Sequence, residues 1–373
     1  MGCYSMIIHS SILLNVTLWF NKMAPMIERP IFIYTMTAGL GDLVVLGTLA
    51  RWIEESIPGG ECFLIHRDNP HIPLWQKKNA HQFFNVYSCA EMLRFVIKMR
   101  QLRRKGRVVF GLQMAPGSVQ GYFFLRVLQK LGALDYVVDF NLVNADIVTP
   151  PRGDYILNQH AHQIMDLCRG LQAEMPQRPL LPFEVPRRTP PSARKLRIGL
   201  HPWSRRGHQP AFVWQQSKWL GLVDYLLKRP DVAHISIFGR DNGFERFRHE
   251  VMSYLPSDRL SFSPSGSVLE LAATIAGLDL LVTVNTGVVH FAYAIDIPMV
   301  ILNGPSLDLW IPKGEQIIAL RDQKAAWHAP DRAMVDDRFS QVGNIRLDEV
   351  EAAVARLVDQ ITGCVRDERM TCG

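Results

Sequence analysis

Cysteine is scarce in this sequence, and the cysteines present show none of the spacings that bind metals. Six cysteines occur in 373 residues, none of them forms a C-x-x-C pair, and no Cys/His spacing resembles a zinc site. Cysteines without such patterns are typical of reduced thiols in a cytoplasmic protein. The composition therefore predicts no metal site.

No apolar run is long enough to cross a membrane. The stretch "SMIIHSSILLNVTLWF" near the N-terminus is too short to span a bilayer. It lacks the basic start and the cleavage site of a secretory signal, and Met6 breaks the myristoylation pattern. We expect residues 1–29 to be a leader, either disordered or an over-long start, with a membrane-associating helix as the alternative. A chain that begins at Met26 is predicted to keep its stability and activity, because residues 1–25 should add nothing to the core.

A large excess of charge of one sign is also missing. The formal net charge is +6 and the pI about 9.0, too small an excess to indicate nucleic-acid binding. A modest positive balance suits nucleotide diphosphates, phosphorylated glycans or an acidic membrane face. Hydrophobic residues make up 48% and charged residues 20%, as in globular proteins, and 373 residues suit two domains of about 150 residues each.

Strand-like and helix-like patterns alternate along the chain. Buried strands are indicated by "RPIFIYTM", "ECFLIH" and "RVVFGLQ", and after a proline-rich stretch by "LRIGLHP", "AHISIFG", "DLLVTV" and "PMVILNG". This alternation predicts an α/β fold of two Rossmann-like domains with a ligand cleft between them. The predicted boundaries are a leader over 1–29, a first domain over 30–175, a linker over 176–195, a second domain over 196–345, and a closing helix and tail over 346–373.

The strongest candidate site lies in "DLLVTVNTGVVHFAYAI". A buried strand should end at Val284, with a turn at Asn285, Thr286 and Gly287 before a helix. The first N–H groups of a helix have no internal partners and favour an anion, so a diphosphate fits there. His290 lies one helical turn further on and can face the same ligand. The alternative is that the turn is only a helix cap and His290 a core histidine.

The order of these motifs resembles glycosyltransferase family nine, the lipopolysaccharide heptosyltransferases. Members show a buried strand, Asp-(Ser/Thr)-Gly, two variable residues, His, an Ala-rich helix and a strand ending in Gly-Pro-Thr. This chain has "NTGVVHFAYAIDIPMVILNGPS" with the same spacing. "GLGDLVVLGTLARWIEESIPGGE", "MRQLRRKGRVVFGLQ" and "HAHQIMDLCRGL" are similar to the family's opening turn, basic helix with its strand, and interdomain helix. The resemblance covers residues 30–360.

The resemblance implies a GT-B fold and inverting transfer of a sugar onto a hydroxyl of a glycan or glycolipid in lipopolysaccharide biosynthesis. The sugar would be heptose or a related one, carried by an ADP- or other nucleotide-sugar, usually without a metal or other cofactor. The first domain would be the acceptor side and the second the donor side. The family's opening Gly-Asp corresponds to Gly41 and Asp42, and Asp42 would be the general base that takes the acceptor's proton. From the residues alone, Asp42 suits a helix cap equally well.

Two positions depart from the family pattern. Asn285 stands where the donor motif usually has Asp, and Phe212 stands where a Lys usually precedes the first Trp of "FVWQQSKW". The nearby cations Arg205, Arg206 and Lys218 are the candidates to bind the donor instead. The two changes partly offset each other in charge, and they put the identity of the donor in doubt.

Further candidate site residues are charged side chains at the ends of predicted strands and helices. Asp241 and Glu245 follow a predicted strand, where a carboxylate suits the donor's ribose hydroxyls, although acids are common at helix starts. Arg103 and Arg104 belong to a basic cluster over 94–107, interpreted as a solvated helix face or as a surface for a phosphorylated glycolipid acceptor or the inner membrane face. Two other functions remain open: a nucleotide-sugar epimerase of similar fold, and a catalytically silent sugar-nucleotide-binding protein.

Overall fold

The chain folds into two compact units, Met1–Pro182 (unit 1) and Phe183–Gly373 (unit 2), and the division falls inside the stretch predicted as a linker. A computed structural model describes residues 29–35, 39–66, 71–76, 82–113, 119–139, 145–149, 152–168, 173–185, 195–204, 210–239, 243–264, 266–305, 308–322 and 341–371. Residues 1–28 of the predicted leader lie outside the described residues. No described helix has both the length and the apolar composition needed to cross a bilayer.

Unit 1 is built on a six-stranded parallel sheet with the order β3-β2-β1-β4-β5-β6. Its strands are β1 (Ile31–Thr35), β2 (Glu61–His66), β3 (Gln82–Asn85), β4 (Val109–Gln113), β5 (Tyr136–Asp139) and β6 (Ile147–Val148). Its helices are α1 (Leu40–Ser56), α2 (Ile72–Gln76), α3 (Cys89–Arg104), α4 (Val119–Lys130) and α5 (Ile156–Leu167). β1 is buried from Ile31 to Tyr34, as expected for a strand of a parallel sheet that helices cover on both faces.

The helices of unit 1 divide between the two faces of its sheet. Ile31 and Ile33 of β1 pack with Phe95 of α3 and Leu125 of α4 in one core cluster. On the other face α1 packs against α5. Since alternate residues of a strand point to opposite faces, α3 and α4 form one layer and α1 and α5 the other.

Unit 2 repeats this architecture with the order β12-β11-β10-β7-β8-β9, again all parallel. Its strands are β7 (Leu196–His201), β8 (Val232–Gly239), β9 (Leu260–Pro264), β10 (Leu280–Val284), β11 (Met299–Leu302) and β12 (Ile317–Leu320). Its helices are α6 (Gln216–Lys228), α7 (Phe244–Tyr254), α8 (Val268–Ala276), α9 (Gly287–Ile295) and α10 (Leu347–Thr371). Counted from the first strand of each unit, both sheets have the Rossmann order 3-2-1-4-5-6, which confirms the predicted fold class.

The long helix α10 completes the core of unit 2. It packs against α6 and against β10, β11 and β12. Its residues Val350, Val354 and Leu357 are buried in the same cluster as the strands. The turn before α10 is fixed to the segment that precedes α6, since the indole of Trp214 donates to the carbonyl of Ile345 at 2.8 Å.

Candidate functional site

Each sheet has one topological switch point, where two neighbouring strands send their following connections toward opposite sides of the sheet. In unit 1 the chain crosses from β1 to β2 and from β4 to β5, so this switch point lies between β1 and β4. In unit 2 it lies between β7 and β10. Open α/β sheets bind ligands beyond the carboxyl ends of their strands at such a point, because the diverging connections leave a crevice there.

The loop from β10 to α9 stands at the switch point of unit 2. β10 ends at Val284 and α9 begins at Gly287, as the sequence predicts. Thr286 is the N-cap, with an extended backbone, and its hydroxyl accepts a hydrogen bond from the N–H of Val288 at 3.4 Å. No acidic residue lies in the first turn of α9. No carboxylate of this turn therefore offsets the positive end of the helix dipole.

Asn285 joins the carboxyl ends of two neighbouring strands. Its backbone N–H donates to the carbonyl of Leu302 at 3.0 Å. Its side-chain Nδ2 donates to Oδ1 of Asn303, just after β11, at 2.9 Å. A carboxylate at this position has no hydrogen to donate, so with the resembled family's Asp the contact would need Asn303 to be the donor through its Nδ2.

His290 is almost fully buried, although a direct ligand contact would need part of its ring to be accessible. Its side chain is buried, and its ring lies edge-on to Trp310 with 6.2 Å between centroids. Burial lowers the pKa of His290 to about 4, because desolvation disfavours the charged imidazole. His290 is therefore neutral at pH 7, and its contact with a donor stays a prediction.

The sequence interpretation did not include two residues that stand at this same edge. His201 ends β7 and is buried, its Nδ1 lies 3.2 Å from Oγ1 of Thr283 on β10, and desolvation lowers its pKa to about 4. Two residues later, the ring of Trp203 covers Gly239 at the end of β8. A Cβ on Gly239 would come within 2.4 Å of Cε3 of Trp203. The signal in the sequence was similar to that for Asn285: a polar or aromatic residue at the end of a buried strand or just after it.

In unit 1, Asp42 stands in the first turn of the helix that follows β1. The stretch "TAGLGD" predicts a turn up to Asp42 and a helix from Leu43, and this is wrong by three residues, because α1 already begins at Leu40. Oδ2 of Asp42 accepts a hydrogen bond from the N–H of Gly39 at 3.3 Å, which satisfies one of the donors left open at a helix start. Gly41 is buried inside the first turn and Asp42 is partly exposed. Asp42 is thus a capping residue at the switch point of unit 1, and its role as a base stays a prediction.

The remaining donor candidates do not gather around the start of α9 in the described residues. The ammonium of Lys218 donates to the carbonyls of Gly343 and Ile345 at 2.7 and 2.9 Å, which ties α6 to the turn before α10. Glu245 is exposed in the first turn of α7 and pairs with Arg248 at 3.4 Å. The candidates outside the described residues are Arg205, Arg206 and Asp241. Phe212 is buried in a short 3-10 turn.

The two arginines predicted for the acceptor side lie at the opposite edge from Asp42. Arg103 donates to Asp135 at 2.7 Å and to the carbonyl of Gly132 at 2.7 Å. Asp135 also accepts from the N–H of Val109, so this cluster stands where β4 and β5 begin. Arg104 is exposed beside it at the end of α3. The structure does not bring this amino edge together with Asp42, which follows the carboxyl end of β1.

Comparison with known proteins identifies the fold. No family model matches the chain, and no curated protein matches it. Among solved structures, a family 9 glycosyl transferase from Veillonella parvula gives a TM-score of 0.64 at 14% identity, covering 90% of this chain and 99% of that one. An E. coli heptosyltransferase with ADP gives 0.57 at 14% identity, covering 88% and 99%. E. coli ADP-heptose lipopolysaccharide heptosyltransferase II gives 0.55 at 16% identity, covering 89% and 99%. The chain has the fold of these transferases, and the resemblance in fold inferred from its motifs is confirmed.

Proposed function

We propose that the chain is an inverting glycosyltransferase that moves heptose or a related sugar from an ADP- or other nucleotide-sugar onto a hydroxyl of a glycan or glycolipid. One observation carries the proposal. Asp42 and the Asn285–Gly287 turn each stand at the switch point of their own Rossmann sheet. These are the two places where the fold favours a ligand, and each holds a group suited to one half of the reaction.

In unit 2, the start of α9 would bind the donor diphosphate. The open N–H groups of the first turn and the helix dipole stabilise negative charge, and this charge grows on the leaving nucleoside diphosphate. Thr286 and Gly287 allow phosphate oxygens to approach the backbone closely. Neutral His290 can donate at most one N–H to them. One structural neighbour was solved with ADP, which supports a nucleotide as part of the donor.

In unit 1, Asp42 would take the proton of the acceptor. The acceptor oxygen attacks the anomeric carbon, the bond from that carbon to the diphosphate oxygen breaks, and the hydroxyl proton passes to the Asp42 carboxylate. The electron pair of the broken bond leaves with the diphosphate. Direct attack from the opposite face inverts the anomeric centre, and the scheme uses no cofactor. We place the reaction in the cytoplasm, at the inner face of the membrane.

The decisive measurement is single-turnover transfer by an Asp42→Asn variant at saturating donor. If Asp42 is the base, we expect turnover to fall roughly 10²–10⁴-fold. Asparagine can still accept from Gly39, so stability should change by about 1 kcal/mol or less. Glu55→Gln is the matched control, because it removes an exposed carboxylate from the far end of the same helix, where Glu55 pairs with Arg51. It should transfer like the wild type.

The same preparations separate the alternatives. Nucleotide-sugars are first screened by thermal stabilisation, and a donor at a hundred times its dissociation constant should add about 2.7 kcal/mol. Binding without transfer to any acceptor, but with conversion of the donor, would identify an epimerase. Binding without either reaction would identify a silent binding protein. Near-normal transfer by Asp42→Asn would remove Asp42 from the mechanism.

A further inference from the structure

The carboxyl edge of the sheet in unit 2 carries a cation that has no part in the reaction described so far. Arg321 directly follows β12, and in the part of unit 2 that the structure describes no other lysine or arginine stands directly after a strand. β12 pairs with β11, and β11 with β10, in a register that places Arg321 level with Asn303 and Asn285. Since neighbouring strands lie about 4.8 Å apart, the backbone of Arg321 is about 10 Å from that of Asn285.

The guanidinium of Arg321 is held by the connection that leads from β11 to β12. Nη1 donates to the carbonyl of Gly304, two residues after β11, at 3.5 Å. Nη2 pairs with the carboxylate of Asp308. Two residues beyond Asp308, the ring of Trp310 lies edge-on to His290 of α9. The connection that binds Arg321 therefore also contacts α9, the helix whose start is the proposed diphosphate site.

Gly304 also touches the segment that contains Phe212. A Cβ on Gly304 would come within 2.6 Å of the carbonyl oxygen of Ala211, the residue before Phe212. Phe212 is buried and carries no charge, and Lys218 donates to two backbone carbonyls near α10. Arg321 therefore brings a positive charge to the residue against which this segment packs.

The two partners of the Arg321–Asp308 pair differ in their exposure to water. The side chain of Arg321 is 17% exposed and that of Asp308 is 57% exposed. Desolvation lowers the pKa of Arg321 and the neighbouring Asp308 raises it, and the guanidinium stays charged at pH 7. An ion pair with an exposed partner is weak, because water and salt screen it. A diphosphate carries more charge, and its oxygens match the planar fork of a guanidinium, so it can displace Asp308.

We propose that Arg321 binds a phosphate group of a nucleoside diphosphate and gives up Asp308 in exchange. The inference rests on the proposed function, in which the diphosphate lies at the start of α9. The helix start and the guanidinium then hold the anion from two strand ends of the same sheet. The exchange also releases Asp308, and with it the connection that holds Trp310 against His290. Neutral His290 then gains access to the ligand, which accounts for a predicted ligand contact that is buried here.

Isothermal titration calorimetry with ADP, UDP and inorganic pyrophosphate measures this contact on the full chain without any acceptor. Arg321→Gln should raise the Kd of the diphosphates roughly 10–100-fold, because charge-assisted hydrogen bonds to a phosphate are lost. Arg321→Lys should restore only part of the affinity, since an ammonium lacks the planar fork of the guanidinium. The affinity for the matching nucleoside, which has no phosphate, should stay unchanged in both variants.

Asp308→Asn tests the exchange of partners. The substitution removes the competing carboxylate, so the diphosphate affinity should rise about two- to fivefold. In an Arg321→Gln background the same substitution should have no effect, because the competition needs the guanidinium. A lower affinity in Asp308→Asn, or the same rise in both backgrounds, would overturn the exchange. Asp308 is more than half exposed, so this variant should fold even if Arg321→Gln does not.

A charge-matched control comes from the other end of the same strand. Lys313→Gln removes an exposed cation that precedes β12, and it should bind diphosphates like the wild type. Equal affinity of the wild type and Arg321→Gln would overturn the inference and leave the proposed transfer untouched. An equal loss for diphosphate and nucleoside would also overturn it, because Arg321 would then only support the fold, and so would a wild type that binds no diphosphate. Diphosphate binding that depends on Arg321, without transfer to any acceptor, would support the inference and refute the transferase.

Discussion

Two buried histidines should make unit 2 sensitive to mild acid. His201 and His290 both lie in its core, and desolvation lowers the pKa of each from 6.5 to about 4. In the unfolded chain both recover an ordinary pKa. Between pH 6.5 and pH 4 the unfolded state therefore binds more protons than the folded state, and stability falls as the pH falls. Above pH 6.5 both states are neutral and the full stability is present.

The size of the effect follows from the two pKa values. At pH 5 an unfolded histidine is almost fully protonated, whereas a folded one with a pKa of about 4 is mostly neutral. The difference is worth about 2 kcal/mol for each histidine, or about 4 kcal/mol for both. A domain is stable by only about 5–15 kcal/mol, so this loss is a large fraction of the total.

Urea unfolding at pH 7.5 and pH 5.0 measures this loss. His201→Gln and His290→Gln should each reduce the pH-dependent difference by about 2 kcal/mol, whatever each substitution does to stability at pH 7.5. His249→Gln is the control, because His249 is exposed on α7 of the same unit, and its pH response should match the wild type. Equal stability at both pH values would refute the reasoning. So would variants of the buried histidines that keep the full pH dependence.

Three further substitutions test individual contacts. Thr286→Ala should lower the free energy of unfolding by about 1 kcal/mol, because the N-cap of α9 is lost, and it should raise the donor dissociation constant. Thr286→Ser should restore both the stability and the donor affinity. Unchanged donor affinity in the alanine variant would count against the donor site. Gly239→Ala should cost about 1–3 kcal/mol, because its Cβ would press on Trp203, and a neutral melting curve would mean that the ring moves freely. Arg103→Gln should cost about 2 kcal/mol through its lost charge-assisted hydrogen bonds, whereas exposed Arg104→Gln should cost less than about 0.5 kcal/mol. A rise in acceptor KM for Arg104→Gln would support its predicted acceptor role.

The regular part of the fold could be predicted because its signals are local. β10 and α9 are right to the residue at the site, since the buried strand stops at Val284 and a small residue, Gly287, opens the helix. The elements that were missed are short or lie at sheet edges. β9 and β12 are edge strands of five and four residues whose side chains are only partly buried, so their pattern is weak.

The contacts of the candidate residues could not be predicted, because they join distant parts of the chain. The carbonyls that accept from Lys218 lie 125 and 127 residues further on. The pairing of Arg103 with Asp135 depends on β4 and β5 being neighbours in the sheet, which no local pattern contains. His201 was missed because its surroundings form only when β7 pairs with β10.

The packing of α10 also fixes the order in which the newly made chain can fold. Every strand of unit 2 is synthesised before α10, yet Val350, Val354 and Leu357 of this helix are needed to cover β10, β11 and β12. At ordinary rates of synthesis, unit 2 takes roughly 10–40 s to emerge after unit 1. During that interval unit 1 can fold while the sheet of unit 2 still has an uncovered apolar face. Chaperones that bind such faces on nascent chains should therefore protect the second half of this protein during that interval.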